Sequence, residues 1–260
     1  MSFDMKTTWD ACGAAFDRYT STEDSYSENV ERPVLESLLG ELSEARVLDL
    51  GCGSATYAAR LAARGARVAG VDLSATMLEL ARARSRANRV ELELLVADIS
   101  KPLPLSDAQF DLVFTATALH YVEDLRSAMR EIARVLRPQG RLLASVLHPM
   151  STARFPVRDR ADASPNEWQA RARWPAHYFA AAPRCIETPW LGFGEVSDEG
   201  RRLDCFHHTV SDYFAAMQSA GLRLTELREP APPAAFAVKN AERYEEAMSL
   251  PLYLIFAARK

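Results

Sequence analysis

One stretch of the chain constrains the fold more than any other: RVLDLGCGSATYAARLAARGARVAGVDLS, from Arg46 to Ser74. A short apolar run ends at Gly-Cys-Gly, a helix-like segment follows, and a second apolar run ends at Asp72. A strand, a glycine turn, a helix and a further strand form a βαβ unit, in which the two strands pair in parallel. Ligands of open parallel sheets bind at the carboxyl ends of the strands. The glycine turn is therefore predicted to lie at a ligand site.

The same alternation continues beyond this unit. Further strands are predicted at VELELLVAD, FDLVFTATA, RLLASVLH, LRLTELREP and PLYLIFAARK. Helices are predicted at ATMLELARARSRAN, DLRSAMREIARVLRPQG and TVSDYFAAMQSAG, the second ended by Pro138 and Gly140 and the third by Gly221. An N-terminal helical cover is predicted around NVERPVLESLLGEL. We expect an α/β fold with seven strands in a mostly parallel sheet and helices on both faces.

The alternation stops after the fifth strand. Residues 149–206 are rich in Pro, Trp and Arg and show no clear helical period. We therefore expect a core made of residues 1–148 and 207–260, and a lid at 149–206 that is inserted after the fifth strand.

The glycine turn differs from two common nucleotide-binding loops. A triphosphate loop needs Lys followed by Ser or Thr after its last glycine, and a dinucleotide loop needs a third glycine where this chain has Thr56. Asp49, two residues before Gly51, would repel a pyrophosphate and attract a ligand with an ammonium and a sulfonium group. Asp72 can accept hydrogen bonds from both hydroxyls of a ribose; its structural alternative is a helix cap or turn.

Composition narrows the partners and the compartment. The net charge is −4 and no Lys/Arg cluster stands out, which disfavours nucleic acid and anionic membranes as partners. No apolar run approaches the ~18–20 residues of a membrane span, and the N-terminus lacks a secretory pattern. The four cysteines form no C-x-x-C pair. We expect a cytoplasmic protein that acts on a small molecule and holds no metal; the sequence leaves the oligomeric state open.

VLDLGCGSATYAARLA resembles motif I of the class I S-adenosylmethionine-dependent methyltransferases. The resemblance continues through VDLSATML, ADISKPLPLSDAQFDLVFTATALHYVEDL and REIARVLRPQGRLLASV, so it covers roughly Arg46 to Val146. The flanks NVERPVLESLL and ERYEEAMSLPLYLIFAARK resemble the bacterial small-molecule branch. The resemblance implies a Rossmann-like fold, S-adenosylmethionine as cofactor, and methyl transfer to a small molecule such as a secondary metabolite.

The resemblance also implies a cofactor site built from residues at the ends of the first four strands and one N-terminal aromatic: Asp49, Gly51, Gly53, Asp72, Leu73, Met77, Asp98, Ile99, Thr115 and Tyr19. The glycines would pass beneath the methionyl part, whose amino group Asp49 would orient and whose pocket Thr115 would line. Asp72 would hold the ribose, with Leu73 and Met77 against the adenine. Asp98 and the Ile99 backbone would bind the adenine edge, and Tyr19 would close over the cofactor.

The acceptor side is predicted from chemistry. Methyl transfer requires a nucleophile aligned with the S–CH3 bond and excluded water, and a base is needed only if the nucleophile arrives protonated. Histidines near strand ends or the lid are candidates for acceptor contact or for the base: His120, His148, His207 and His208. Lid residues that can enclose a small molecule are Trp168, Trp174, His177, Tyr178 and Trp190. The structural alternative for each is ordinary core packing.

Methyl transfer to oxygen or nitrogen of a small molecule is the leading hypothesis. Transfer to carbon fits the same residues, and a cofactor-binding protein without transfer activity would keep the same loop. A nicotinamide-dependent oxidoreductase is disfavoured by Thr56 and Asp49. Binding of S-adenosylhomocysteine rather than NAD(H) separates the last alternative from the others.

Overall fold

Strands and helices alternate along the computed structural model, which describes residues 4–155, 178–187 and 202–260. The described strands are β1 (Arg46–Leu50), β2 (Arg67–Asp72), β3 (Leu92–Val96), β4 (Phe110–Ala116), β5 (Leu136–Leu147), β6 (Pro183–Glu187), β7 (Arg202–Phe206), β8 (Arg223–Arg228) and β9 (Tyr253–Arg259). The described α-helices are α1 (Met5–Thr20), α2 (Arg32–Leu39), α3 (Thr56–Ala63), α4 (Ala75–Asn88), α5 (Leu125–Val135), α6 (Pro149–Thr152), α7 (Val210–Ser219), α8 (Ala234–Lys239) and α9 (Ala241–Ser249). A π-helical turn spans Ser27–Glu31 and a 3-10 turn spans Leu119–Tyr121.

Seven strands form one sheet in the order β3-β2-β1-β4-β5-β9-β8. The pairs among β1 to β5 are parallel, and β9 runs antiparallel to both of its neighbours. This arrangement confirms the predicted seven-stranded, mostly parallel, Rossmann-like sheet. The order turns at β1, because β2 lies on one side of it and β4 on the other. Such a switch point opens a crevice at the carboxyl ends of the strands.

The sheet is covered on both faces, as a parallel sheet requires. Successive strand residues point to opposite faces, so Val47 packs with α2, α3 and α4 while Leu48 packs with α5 and α7. On the first face Leu35, Leu61 and Leu78 are almost completely buried. The near-continuous apolar runs of β1 and β4 follow from this burial on two sides.

The predicted end of α5 at Pro138 and Gly140 was wrong by a few residues. The helix ends at Val135, and β5 begins at Leu136. A proline disfavours helical geometry in the residue before it, here Arg137, so the chain leaves the helix earlier. Leu136 pairs with Phe110, and the register then shifts so that Arg141 pairs with Leu112.

The N-terminal cover includes a helix that the sequence patterns did not reveal. α1 begins at an N-cap, Asp4, whose side chain accepts a hydrogen bond from the Thr7 amide at 3.0 Å. The helix packs against α4 and against β7. Within residues 149–206, the described parts are α6, the segment before β6, and the antiparallel pair β6–β7. No helix in the described part of the chain is long and apolar enough to cross a membrane.

Candidate active site

A cavity of about 560 Å³ lies at the carboxyl ends of β1, β2, β3 and β4, beneath α1. Residues predicted for the cofactor site form much of its wall: Gly51, Gly53, Asp72, Leu73, Met77, Asp98 and Ile99. The structure therefore brings together residues that are up to 48 positions apart in the chain. A cavity of this size can hold a small-molecule ligand of several hundred daltons.

The glycine turn packs tightly against the loop that follows β4. Gly51 has φ +75°, and a Cβ placed on it would lie 2.4 Å from the Ala118 Cβ. The amides of Gly51 and Cys52 both donate to the Val71 carbonyl, at 2.8 and 2.9 Å, which fastens the turn to β2. Glycine at position 51 is therefore required by backbone conformation and by contact with Ala118.

Asp72 lies at the end of β2 and organises the two turns beside it. Its carboxylate accepts hydrogen bonds from the Gly53 amide at 2.8 Å and from the Ser74 amide at 2.9 Å. Ser74, not Asp72, is the N-cap of α4, and its hydroxyl accepts from the Met77 amide at 3.1 Å. Burial raises the pKa of the Asp72 carboxyl, and the two amides oppose that shift. The structure thus leaves Asp72 on the cavity wall, where it can accept further hydrogen bonds.

Asp49 and Thr115 lie behind the cavity wall rather than on it. Both are almost completely buried. Burial raises the pKa of the Asp49 carboxyl to about 8, and the nearby Asp72 charge adds to the shift. Within the described part of the chain, Asp49 Oδ2 and Thr115 Oγ1 have no hydrogen-bond partner. Unpartnered buried polar atoms are costly, so a cationic ligand with hydrogen-bond donors would suit this end of the sheet.

Helix α1 supplies an aromatic wall that sequence reasoning missed. Trp9 and Phe16 line the cavity, together with Tyr121 and Phe206. The Trp9 ring meets Phe16 and Tyr121 edge-on, with centroids 5.1 and 5.5 Å apart. The spacing of seven residues between Trp9 and Phe16 places both on one helix face, and this was the available signal.

Two polar contacts hold α1 over the cavity. Asp10 accepts a hydrogen bond from the Ser74 hydroxyl at 2.6 Å, at the start of α4. Asp17 forms an ion pair with Arg84 at 2.8 Å. Between them, Gly13 faces the Met77 side chain so closely that a Cβ would lie 2.5 Å from its sulfur. Tyr19, in the last turn of α1, lies outside the cavity wall, with the Arg243 guanidinium carbon 5.6 Å from its ring centroid.

Of the described residues that line this cavity, none is a histidine. His120 is buried beside the Tyr121 ring, and neither of its nitrogens has a hydrogen-bond partner among the described residues. Burial lowers the pKa of His120 to about 3. His148 accepts from the Met150 amide through Nδ1, and its Nε2 lies 2.9 Å from the Glu229 carboxylate. Burial lowers the pKa of His148, and Glu229 opposes that shift.

A second cavity of about 300 Å³ adjoins the first, and Glu123 and Phe206 line both. His207 and His208 lie on its wall. His207 Nε2 donates to the Tyr178 carbonyl and His208 Nε2 donates to the Val122 carbonyl, at 2.7 and 2.8 Å. Burial lowers the pKa of both imidazoles. Among the described residues, His207 and His208 are thus the predicted acceptor-side histidines that line this second cavity.

Most of the predicted acceptor-binding aromatics fall outside the described residues: Trp168, Trp174, His177 and Trp190. Tyr178 is described, and its ring meets the His207 ring edge-on at a centroid distance of 5.4 Å.

Comparisons with known proteins agree with this geometry. Residues 48–144 match a family model described as "Methyltransferase domain". A malonyl-[acyl-carrier protein] O-methyltransferase from Pseudescherichia vulneris is 34% identical over 222 residues, which are 84% of this chain and 80% of that protein. A demethylmenaquinone methyltransferase from Clavibacter sepedonicus is 33% identical over 139 residues, 54% of this chain and 56% of that protein. This chain thus spans little more than half the length of the second relative.

A crystal structure provides the corresponding comparison of folds. An S-adenosylmethionine-dependent methyltransferase from Mesorhizobium loti superposes with a TM-score of 0.69 at 31% identity, over 88% of this chain and 97% of that one.

Proposed function

Because the chain belongs to the class I S-adenosylmethionine-dependent methyltransferases, we propose that it transfers the cofactor's methyl group to an oxygen or nitrogen atom of a small molecule. The family assignment confirms the predicted enzyme class and S-adenosylmethionine as the cofactor. When bound, the cofactor supplies an electrophilic methyl group on a sulfonium. The observation that supports the proposal best is the cavity at the switch point, which joins the glycine turn and two strand-end acids, Asp72 and Asp98, under an aromatic wall.

The residues on and behind the cavity wall fit this cofactor. Asp72 would accept hydrogen bonds from the ribose, and Asp98 with the Ile99 backbone would hold the adenine. Asp49 is a buried carboxyl whose Oδ2 has no hydrogen-bond partner among the described residues, which suits a cofactor that carries an ammonium group. Leu73 and Met77 would contact the adenine, while Gly51 and Gly53 would let the methionyl part approach. Thr115 and Tyr19 do not line the cavity, so we expect them to contribute least to cofactor binding.

The acceptor would enter from the side of the second cavity. Trp9, Phe16, Tyr121 and Phe206 form a wall that can align an apolar acceptor and exclude water. His207 and His208 lie beyond Phe206, where they can contact the distal part of an acceptor. We place the cofactor-binding core in residues 1–148 and 207–260, and assign acceptor binding to 149–206.

Oxygen is the first acceptor atom to test. A relative that matches 84% of this chain is an O-methyltransferase, and a carboxylate or phenolate acceptor needs no strong base from the enzyme. The four histidines of the described part are all buried or bonded to backbone, and burial lowers each pKa. Neutral imidazoles can still contact substrate, so alignment would supply most of the rate enhancement.

The test is a labelling experiment with methyl-labelled S-adenosylmethionine and separate pools of carboxylic acids, phenols, amines and thiols, beside protein, acyl-carrier-protein and RNA samples. Asp72→Ala serves as the control with weakened cofactor binding. Label in the acid, phenol or amine pool, reduced with Asp72→Ala, supports the proposal. A methylated carbon would replace it with the C-methyltransferase alternative. Binding of S-adenosylhomocysteine without label in any sample would favour the cofactor-binding protein.

A further inference from the structure

Glu31 is a fully buried acid that none of the site assignments uses. It ends the π-helical turn Ser27–Glu31, a rare conformation that is frequent at functional sites. Its two carboxylate oxygens accept hydrogen bonds from three hydroxyls on three different segments. Ser145 donates to Oε1, while Ser27 and Tyr57 donate to Oε2, the latter two at 2.5 and 3.2 Å. Glu31 therefore connects the N-terminal segment to two elements of the core.

The contact with Ser145 leads directly to the cavity. The Ser145 hydroxyl, near the end of β5, accepts a hydrogen bond from the Thr117 amide at 3.2 Å, and the Ser145 carbonyl accepts from the same amide at 2.9 Å. Thr117 lines the cavity. Its φ is +51°, an unusual value for a β-branched residue that persists only when its surroundings enforce it. The chain of donors runs from the Thr117 amide through the Ser145 hydroxyl to the Glu31 carboxylate.

The contact with Tyr57 leads to the other side of the same cavity. Tyr57 is the second residue of α3, the helix that follows the glycine turn. Its ring packs on Phe114 of β4 at a centroid distance of 5.0 Å. The glycine turn and the Thr117 loop meet where Gly51 faces Ala118. Glu31 thus bridges the two segments whose close approach forms the floor of the cavity.

We propose that Glu31, acting through Ser145, is a positioning residue that holds the Thr117 loop in its left-handed conformation and so sets the shape of the cofactor cavity. The carboxylate suits this role because it accepts from several hydroxyls at once, whereas a glutamine would turn one acceptor into a donor. Burial raises the pKa of Glu31, and hydrogen bonds from its three hydroxyl partners oppose that shift. The inference rests on the assignment of this cavity to the cofactor and not on any acceptor.

The experiment is a titration of purified full-length protein with S-adenosylhomocysteine, for wild type, Glu31→Gln, Ser145→Ala and the double variant. Ser85→Ala is the matched control, since its hydroxyl donates to the Val90 carbonyl at 2.6 Å on the far end of α4. Tyr57→Phe provides a milder variant should Glu31→Gln fail to fold. Amide hydrogen exchange of the peptide that contains Thr117 is measured on the same samples.

We expect Glu31→Gln and Ser145→Ala each to weaken S-adenosylhomocysteine binding about three- to tenfold, as the loss of one hydrogen-bonded link implies. The double variant should be no weaker than the weaker single variant, because both changes cut the same chain. Exchange at the Thr117 peptide should accelerate while Ser85→Ala leaves binding and exchange unchanged. Wild-type affinity in both folded variants, or additive losses, would overturn the proposal. Because no acceptor is used, a protein without transfer activity still tests it.

Discussion

Position 51 requires glycine for two reasons, its backbone conformation and its contact with Ala118. A second glycine with the same φ angle allows the two to be measured separately. Gly51 and Gly221 both have φ +75°. A Cβ on Gly51 would lie 2.4 Å from the Ala118 Cβ, whereas a Cβ on Gly221 would meet nothing within 4 Å. Gly221→Ala therefore measures the cost of the backbone conformation alone. Gly51→Ala measures that cost together with the contact.

The two costs follow from ordinary magnitudes. An alanine in the left-handed region costs about 1–2 kcal/mol, which is the whole expected effect at Gly221. At Gly51 the Cβ atoms would have to separate by more than 1 Å to reach a normal contact, and such overpacking adds about 1–3 kcal/mol. Gly51→Ala should therefore lower the free energy of unfolding by about 2–5 kcal/mol and displace the Thr117 loop.

Denaturant unfolding of both variants, with titration of S-adenosylhomocysteine, tests this reasoning. Gly51→Ala should lose most of its cofactor affinity while Gly221→Ala keeps it. Adding Ala118→Gly to Gly51→Ala should recover much of the stability, because the nearest atom then becomes the backbone Cα at 3.9 Å. Equal destabilisation of Gly51→Ala and Gly221→Ala would refute the role of the contact, as would a double variant no better than Gly51→Ala.

Three further predictions concern charged or titratable groups. Asp72→Ala should weaken S-adenosylhomocysteine binding at least tenfold in a calorimetric titration while the protein remains folded; unchanged affinity would remove the ribose assignment. The Asp49 carboxyl, with a pKa of about 8, should release a proton when the ligand's ammonium binds. Affinity should then rise up to about tenfold per pH unit from pH 6 to 7, and titration in buffers of different ionisation enthalpy should show no such release for Asp49→Asn. Burial lowers the pKa of His120 to about 3 in the folded chain. Below pH ~6.5 this histidine is therefore protonated in the unfolded chain but stays neutral in the folded chain. Between pH 7 and pH 5, His120 should therefore lower the free energy of unfolding of the wild type by about 2 kcal/mol, and this contribution should be missing in His120→Leu.

The floor of the cavity could be predicted from sequence because its signals are local. Apolar runs locate β1 and β2, and glycines mark the turn between β1 and α3. Asp72 is the residue at which the second apolar run ends, so its place at a strand end can be read from the sequence. The topology rule for parallel sheets then places these ends together. No long-range contact had to be known, so Gly51, Gly53 and Asp72 were found on one cavity wall.

The aromatic wall from α1 was missed because its local signal, the seven-residue spacing of Trp9 and Phe16, does not show what that helix face packs against. Trp9 and Phe16 line the cavity together with Tyr121 and Phe206, which are more than 100 residues away in the chain. The burial of His120 could not be predicted for a related reason: sequence places His120 beside a strand end but does not show that its ring turns into the core. Whether a polar residue near a site faces the ligand is decided by packing between elements that meet only in the folded chain.

The charges at the strand ends suggest how the protein would distinguish its cofactor from the product. Burial raises the pKa of both Asp49 and Asp72, and the Asp72 charge raises that of Asp49 further, so ionising these carboxyls is costly in the free protein. A ligand that carries an ammonium and a sulfonium would offset this cost. Transfer of the methyl group removes the sulfonium charge, so the product offsets less of it and should be held less tightly than the cofactor. The same carboxylates that resist ionisation in the free protein would thus favour exchange of product for cofactor, at a site whose shape the buried Glu31 maintains from behind.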